Sequence, residues 1–75
     1  MEQNRIAMTL EEASKYTGIG RNTLRNLIAW DKLPVLRVGR KILIRTDMLD
    51  RFVELNEGRN LRKETDVRAC RPKKG

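Results

Sequence analysis

The sequence contains no histidine, a single cysteine, two prolines, and one each of tryptophan, tyrosine and phenylalanine in 75 residues. Each scarcity removes a class of protein. Without histidine, and with a lone thiol, the chain can build neither a zinc site nor a disulfide framework. No apolar run approaches the roughly 20 residues that a membrane-spanning helix requires. So few aromatic side chains supply little bulk, and one small core in one domain of modest stability is expected. The first residues, Met1-Glu2-Gln3-Asn4-Arg5, lack the basic-then-apolar order of a secretory signal, so the cytoplasm is the expected location. With no histidine and no carboxylates at metal-binding spacing, catalysis, a metal and a cofactor are all unexpected.

Positive charge is what the chain has in excess. Lysine and arginine number 17 against 10 aspartate and glutamate, a net charge of +7 with a pI near 10.3. The natural partners of such a chain are polyanions. The charge is unevenly placed: residues 1–58 hold 10 basic and 8 acidic side chains (+2), and residues 59–75 hold 7 and 2 (+5). Within the first part, Arg21, Arg25, Lys32, Arg37, Arg40, Lys41 and Arg45 face only Asp31 across residues 21–45.

Local patterns place these charges on elements. Thr9 followed by Glu12 is a capping box, and Leu10, Ala13 and Thr17 then recur at helical spacing, predicting a helix over 10–17. Gly18 suits the left-handed end of that helix, Ile19 returns to the core, and Gly20 opens a second helix without a capping side chain. In that second helix Leu24, Leu27 and Ile28 form the buried stripe. At about 100° per residue, Arg21, Asn22, Thr23, Arg25 and Asn26 are left for the outside. These side chains suit base reading: arginine bonds guanine O6 and N7 together, asparagine bonds adenine N6 and N7, and threonine meets a thymine methyl or a phosphate. A short helix, a glycine turn and a helix so equipped suit the DNA major groove.

Pro34 is expected to stop this helix, because the residue before a proline is driven to extended geometry. The run "VLRVGRKILIR" then reads as a hairpin around Gly39. A three-residue loop, Gly39-Arg40-Lys41, is favoured over a two-residue turn, which would set Lys41 opposite Val38, since it pairs Val38 with Ile42 and Leu36 with Ile44 and puts all four apolar side chains on one face; turn chemistry alone leaves both registers open. Arg37, Arg40 and Lys41 make the hairpin a basic wing, usable against phosphates or a minor groove. Thr46 is expected to cap a third helix over 47–57, burying Met48, Leu49, Phe52 and Leu55 and exposing Asp50, Arg51, Glu54 and Glu57. The expected architecture is α+β: a small winged helix-turn-helix over 9–58, with three short helices and a two-stranded hairpin between the second and third. Residues 1–8 are expected to be flexible. Residues 59–75 read as a basic, disordered tail in which Arg59, Arg62 and Lys63 are available to phosphates. Trp30 is expected at the core edge, and Cys70 as an exposed thiol in that tail.

Residues 8–53 resemble the excisionase-family DNA-binding domain, a compact relative of MerR-type winged helices, and are most similar to the excisionases of conjugative transposons. The likeness is carried by Glu12-Ala13-Ser14, Ile19-Gly20, Thr23-Leu24-Arg25, Leu33-Pro34, Val38-Gly39-Arg40, Ile44 and the helix from Asp47. It implies a non-enzymatic accessory factor that binds double-stranded DNA in several copies near the ends of a mobile element, bends it, and helps a tyrosine recombinase integrase to excise. By that resemblance Arg21, Asn22, Thr23, Arg25 and Asn26 fall in the major groove, and Arg40 and Lys41 in the wing. Gly20 departs from the serine or threonine cap of many relatives, and the tail beyond Gly58 lies outside the shared domain. Two other readings fit the same residues: a small transcriptional regulator on this fold, and a protein-binding adaptor whose basic face meets an acidic partner.

Overall fold

The computed structural model describes residues 6–71, in the order β1 (Ala7–Thr9), α1 (Leu10–Thr17), α2 (Arg21–Ala29), β2 (Leu36–Val38), β3 (Lys41–Arg45), α3 (Thr46–Leu55) and a short 3₁₀ turn at Glu64–Asp66. Residues 1–5, most of the segment expected to be flexible, lie outside the described residues.

Helix α1 starts on the capping box: the Thr9 hydroxyl accepts the Glu12 N–H at 3.2 Å, and the Glu12 carboxylate accepts the Thr9 N–H at 2.9 Å. These bonds satisfy two of the donors that a helix start leaves open. Gly18 ends α1 at φ +80°, its N–H donating to the Ser14 carbonyl at 2.8 Å. The turn into α2 is braced by side chains as well. The Ser14 hydroxyl donates to the Ile19 carbonyl at 2.7 Å, and the Thr17 hydroxyl donates to the Ala13 carbonyl at 2.8 Å while accepting the Ile19 N–H at 3.1 Å.

Helix α2 ends before Pro34 has any influence on it, which corrects the reason the sequence offered. Asp31 takes the left-handed conformation at φ +61°. Its N–H donates to the Ile28 carbonyl at 3.0 Å, and the Lys32 N–H reaches back to the Leu27 carbonyl at 2.9 Å. That pair of bonds is a Schellman stop with aspartate where glycine is usual; aspartate tolerates the left-handed region better than most residues.

The winged helix-turn-helix forms with its three helices, and the hairpin gains a strand. β1 pairs antiparallel with β3, Met8 opposite Ile44, giving a three-stranded sheet in the order β1-β3-β2. The Thr46 N–H extends this edge by donating to the Ile6 carbonyl at 2.9 Å. The hairpin register also differs from expectation. Leu36 pairs with Leu43, Arg37 with Ile42 and Val38 with Lys41, leaving a two-residue turn, Gly39-Arg40. Gly39 alone of the two has positive φ, at +63°, the sign pattern of a type II′ turn, whose twist matches that of the strands it joins. Because a one-residue slip moves side chains to the other face, Met8, Ile42 and Ile44 face inward, while Leu36 and Val38 are 47% and 59% exposed.

The core joins Ala13 of α1, Leu24 and Leu27 of α2, Leu33, Ile44 of β3, and Met48, Leu49 and Phe52 of α3. It also contains Val67 and Cys70. The expectation of disorder from residue 59 onward therefore fails for 59–71, and Cys70 is a buried thiol. The segment turns at Gly58, φ +81°, and is tied by the Asn60 N–H to the Asp66 carboxylate at 2.7 Å and by an Arg59–Asp66 ion pair at 3.7 Å. Trp30 packs against the core edge, as expected.

Removing residues 59–75 strips Val67 and Cys70 from the core. At roughly 1.5–3 kcal/mol for a buried aliphatic side chain and less for a thiol, the loss is about 3 kcal/mol, a large share of what so small a domain possesses. Urea denaturation followed by circular dichroism should show a clearly lowered midpoint; an unchanged midpoint would mean that the segment contributes nothing to the core.

Candidate nucleic-acid interface

Burying Leu24 and Leu27 fixes the rotation of α2 and so decides what it offers to solvent. Arg21, Asn22, Arg25 and Asn26 are exposed, and Thr23 is half-buried on the flank. One turn apart, Arg25 Nη1 donates to Asn22 Oδ1 at 3.3 Å, so two of these polar side chains are held together on the surface. The start of α2 has no acidic residue in its first turn and no side-chain cap at Gly20. The positive end of the helix dipole therefore adds to Arg21 instead of being cancelled.

The hairpin supplies a second basic group. Arg40 occupies the turn, Lys41 stands opposite Val38, and Arg37 stands opposite Ile42; all three are exposed. The neighbouring Arg45 is committed elsewhere, since its guanidinium makes paired bonds to Asp47 at 3.0 and 2.7 Å. In the C-terminal segment Arg62 and Lys63 are exposed, while Arg59 is engaged by Asp66. Two further cations, Arg68 and Arg71, are also exposed there, and Arg71 reaches back to Asp31 at the end of α2 at 3.2 Å. Sequence reading gave these two no place, because nothing in the tail's pattern reveals that it folds back.

Acid collects on other surfaces. Asp50, Glu54 and Glu57 are exposed on α3 and just beyond it, and Glu11 on α1. The Tyr16 hydroxyl links these two helices by donating to Asp50 Oδ1 at 2.6 Å. That bond, together with the carboxylate's charge, raises the Tyr16 phenol above its usual pKa of 10.0. Among the described residues no group of three carboxylate or thiol ligands is placed to hold a metal ion, and no helix is long and apolar enough to cross a membrane.

Two helices meeting at a braced glycine turn, the second exposed along a polar face and followed by a basic hairpin, define a helix-turn-helix with a wing. A family model described as a helix-turn-helix domain matches residues 7–56, and the chain belongs to that family. DNA is the partner this family implies. The match begins at Ala7, two residues before the domain start expected at Thr9, and ends at Asn56, just beyond α3. No curated protein and no solved structure matches the chain.

Because Tyr16 is the only tyrosine, its titration is readable directly. A spectrophotometric titration should give a midpoint above 10.0, and Asp50→Asn should return it toward the ordinary value. The sign follows from linkage: with the folded-state pKa raised, the stabilisation is present below the unfolded value and fades as pH rises through the folded one. An identical midpoint in the variant would show that the α1–α3 link does not persist in solution.

Proposed function

We propose that this protein is a sequence-specific DNA-binding accessory factor of the excisionase type, which binds and bends DNA at the ends of a mobile element and promotes excision by a tyrosine recombinase integrase. The observation that carries DNA reading is the exposed face of α2. Arg25 and Asn22 are already hydrogen-bonded there at 3.3 Å, beside Asn26 and an uncapped helix start. In this reading Arg21, Asn22, Thr23, Arg25 and Asn26 enter the major groove. Arg25 is the guanine reader, Asn26 an adenine reader, and Asn22 orients Arg25 before contact, which lowers the entropy lost on binding. Arg37, Arg40 and Lys41 reach phosphates or the adjoining minor groove, and Arg59, Arg62 and Lys63 add phosphate contacts. Arg59 contributes less than the other two because Asp66 neutralises it.

Excision rather than transcriptional control rests on the resemblance of residues 8–53 to conjugative-transposon excisionases and on size. One copy of so small a module spans little more than one groove, so acting on recombination takes several copies on adjacent sites and a bend between them. The protein itself neither cuts nor joins DNA in this reading. It supplies deformed DNA on which the integrase assembles.

Base reading is tested by recovering a preferred duplex from a random pool. Arg25→Ala and Asn26→Ala should each cost about 1–3 kcal/mol on that duplex and much less on unrelated DNA. Equal losses on both DNAs would make these residues phosphate contacts. The excision role is tested at the wing: Arg40→Ala with Lys41→Ala should reduce bending in circular-permutation gel shifts and excision by a cognate integrase together. Straight DNA at saturating protein, with excision indifferent to its presence, would favour a transcriptional regulator.

A further inference from the structure

The segment beyond the family unit is anchored at three points, two of them on the passage from α2 to the wing. The first is Asn56, buried just after α3. Its amide nitrogen donates to the Phe52 carbonyl at 2.9 Å and to the Arg68 carbonyl at 3.1 Å, and its oxygen accepts the Arg68 N–H at 2.7 Å. One side chain thus binds the backbone of Arg68 from both sides, as a neighbouring strand would. The second anchor is Cys70, whose N–H donates to the Lys32 carbonyl at 2.8 Å. Lys32 is the residue whose own N–H closes the Schellman stop of α2. The Cys70 sulfur lies 3.6 Å from the Met48 carbonyl and 4.0 Å from its sulfur, and Met48 lines a shallow groove at the hairpin root with Pro34, Val35, Leu36 and Arg45. The third anchor is the exposed Arg71–Asp31 pair at 3.2 Å, made to the left-handed residue that ends the helix.

We propose that residues 57–71 form a clasp that positions the connection between the recognition helix and the wing, so that closing the clasp and binding DNA strengthen each other. The inference rests on the DNA-binding reading above. Residues 30–35 belong to no helix or strand, yet they set how the hairpin stands relative to α2. A helix seated in a groove and a wing tip on the backbone must be held in one relative position to engage together. The clasp holds the α2 end of this connection through Asp31 and Lys32, and it reaches Met48 of α3, which lines a groove with Pro34, Val35 and Leu36 at the wing end. If closure raises DNA affinity by some factor, DNA must favour closure by the same factor.

Cys70 is the only cysteine and reports closure directly. Burial raises its pKa and shields the sulfur, so reaction with an aromatic disulfide requires the clasp to open. The probe DNA is the duplex recovered by the full chain from a random pool. Saturating duplex should slow the thiol reaction several-fold. Asp31→Asn removes the ion pair and keeps a residue that tolerates positive φ. It should speed the thiol reaction, on the order of 2- to 5-fold for an exposed pair, and weaken DNA binding by at most that factor, because affinity falls only with the closed fraction. Simple electrostatics forecasts the reverse, since taking an anion from a protein of net charge +7 tightens DNA binding.

Arg71→Gln completes the set. A clasp residue changes both readouts together; a direct phosphate contact lowers affinity without exposing the thiol. Asn56→Ala should act in the same direction and more strongly, and the two ion-pair variants stand alone if it fails to fold. Bound duplex that leaves the thiol rate unchanged, or an Asp31→Asn protein whose thiol reacts no faster or that binds DNA more tightly than the parent, overturns the clasp and leaves DNA binding intact. A pool from which nothing is enriched overturns the DNA reading and the clasp with it.

Discussion

Scarcity of buried apolar surface governs this structure. Among the described residues the buried core is ten apolar side chains drawn from every helix, β3, a loop and the C-terminal segment, so no element has a stable existence apart from the others. Small chains bury a smaller fraction of their surface and sit near the edge of stability. Under that constraint the helix-turn-helix unit draws on residues beyond itself: Val67 and Cys70 are buried in the same core as Leu33, Met48 and Phe52, Cys70 beside Met48. Polar bonds then replace the bulk that the chain lacks. The capping box at Thr9, the Ser14 and Thr17 hydroxyls at the turn, and the Asn56 amide each pair backbone groups that would otherwise be left without a partner inside the protein.

The same scarcity explains the division of α2. Its inner face is given to Leu24, Leu27 and the partly buried Ile28, and Arg21, Asn22, Arg25 and Asn26 are free of packing duty. Polar residues there cost the fold little, so the exposed face can be chosen for a ligand. The charge layout follows the same division: cations line α2, the hairpin and the C-terminal segment, while exposed carboxylates gather on α1 and α3 and at Glu57, with Asp31 and Glu64 set apart from them. Where a cation and a carboxylate do meet, as in Arg45–Asp47 and Arg71–Asp31, the pairs are exposed. Such pairs contribute orientation more than stability.

Helix positions were legible in the sequence wherever a local device writes them. Thr9 with Glu12, Gly18 at a left-handed end, and the apolar stripes of α2 and α3 each act within a few residues, and the structure places them close to where the pattern does. What was not legible depends on distant partners. Ala7-Met8-Thr9 is too short to show a period, and only β3 makes it a strand. The hairpin register was misjudged because apolar alignment favoured a three-residue loop; the turn geometry at Gly39 prevailed and left Leu36 and Val38 exposed. The tail's apolar residues Leu61, Val67 and Cys70 follow neither a helical nor a strand period, so nothing local separates a docked segment from a solvated one. The polar face of α2 was read correctly as exposed. The Arg25–Asn22 bond and the involvement of Arg68 and Arg71 needed coordinates.

Asp31 shows how these levels meet. A proline downstream is sufficient to end α2, but proline ends a helix without fixing the direction the chain then takes. A left-handed residue fixes both, because the two Schellman bonds to Ile28 and Leu27 specify the exit path as well as the stop. Glycine would serve that backbone better than aspartate. Aspartate gives up some conformational ease and gains a carboxylate at the one point where the recognition helix, the wing connection and the C-terminal segment converge. The residue that ends the helix is thereby also a residue the clasp can hold. In a domain with no apolar surface to spare, a single charged side chain at the junction links three elements without occupying any of the core.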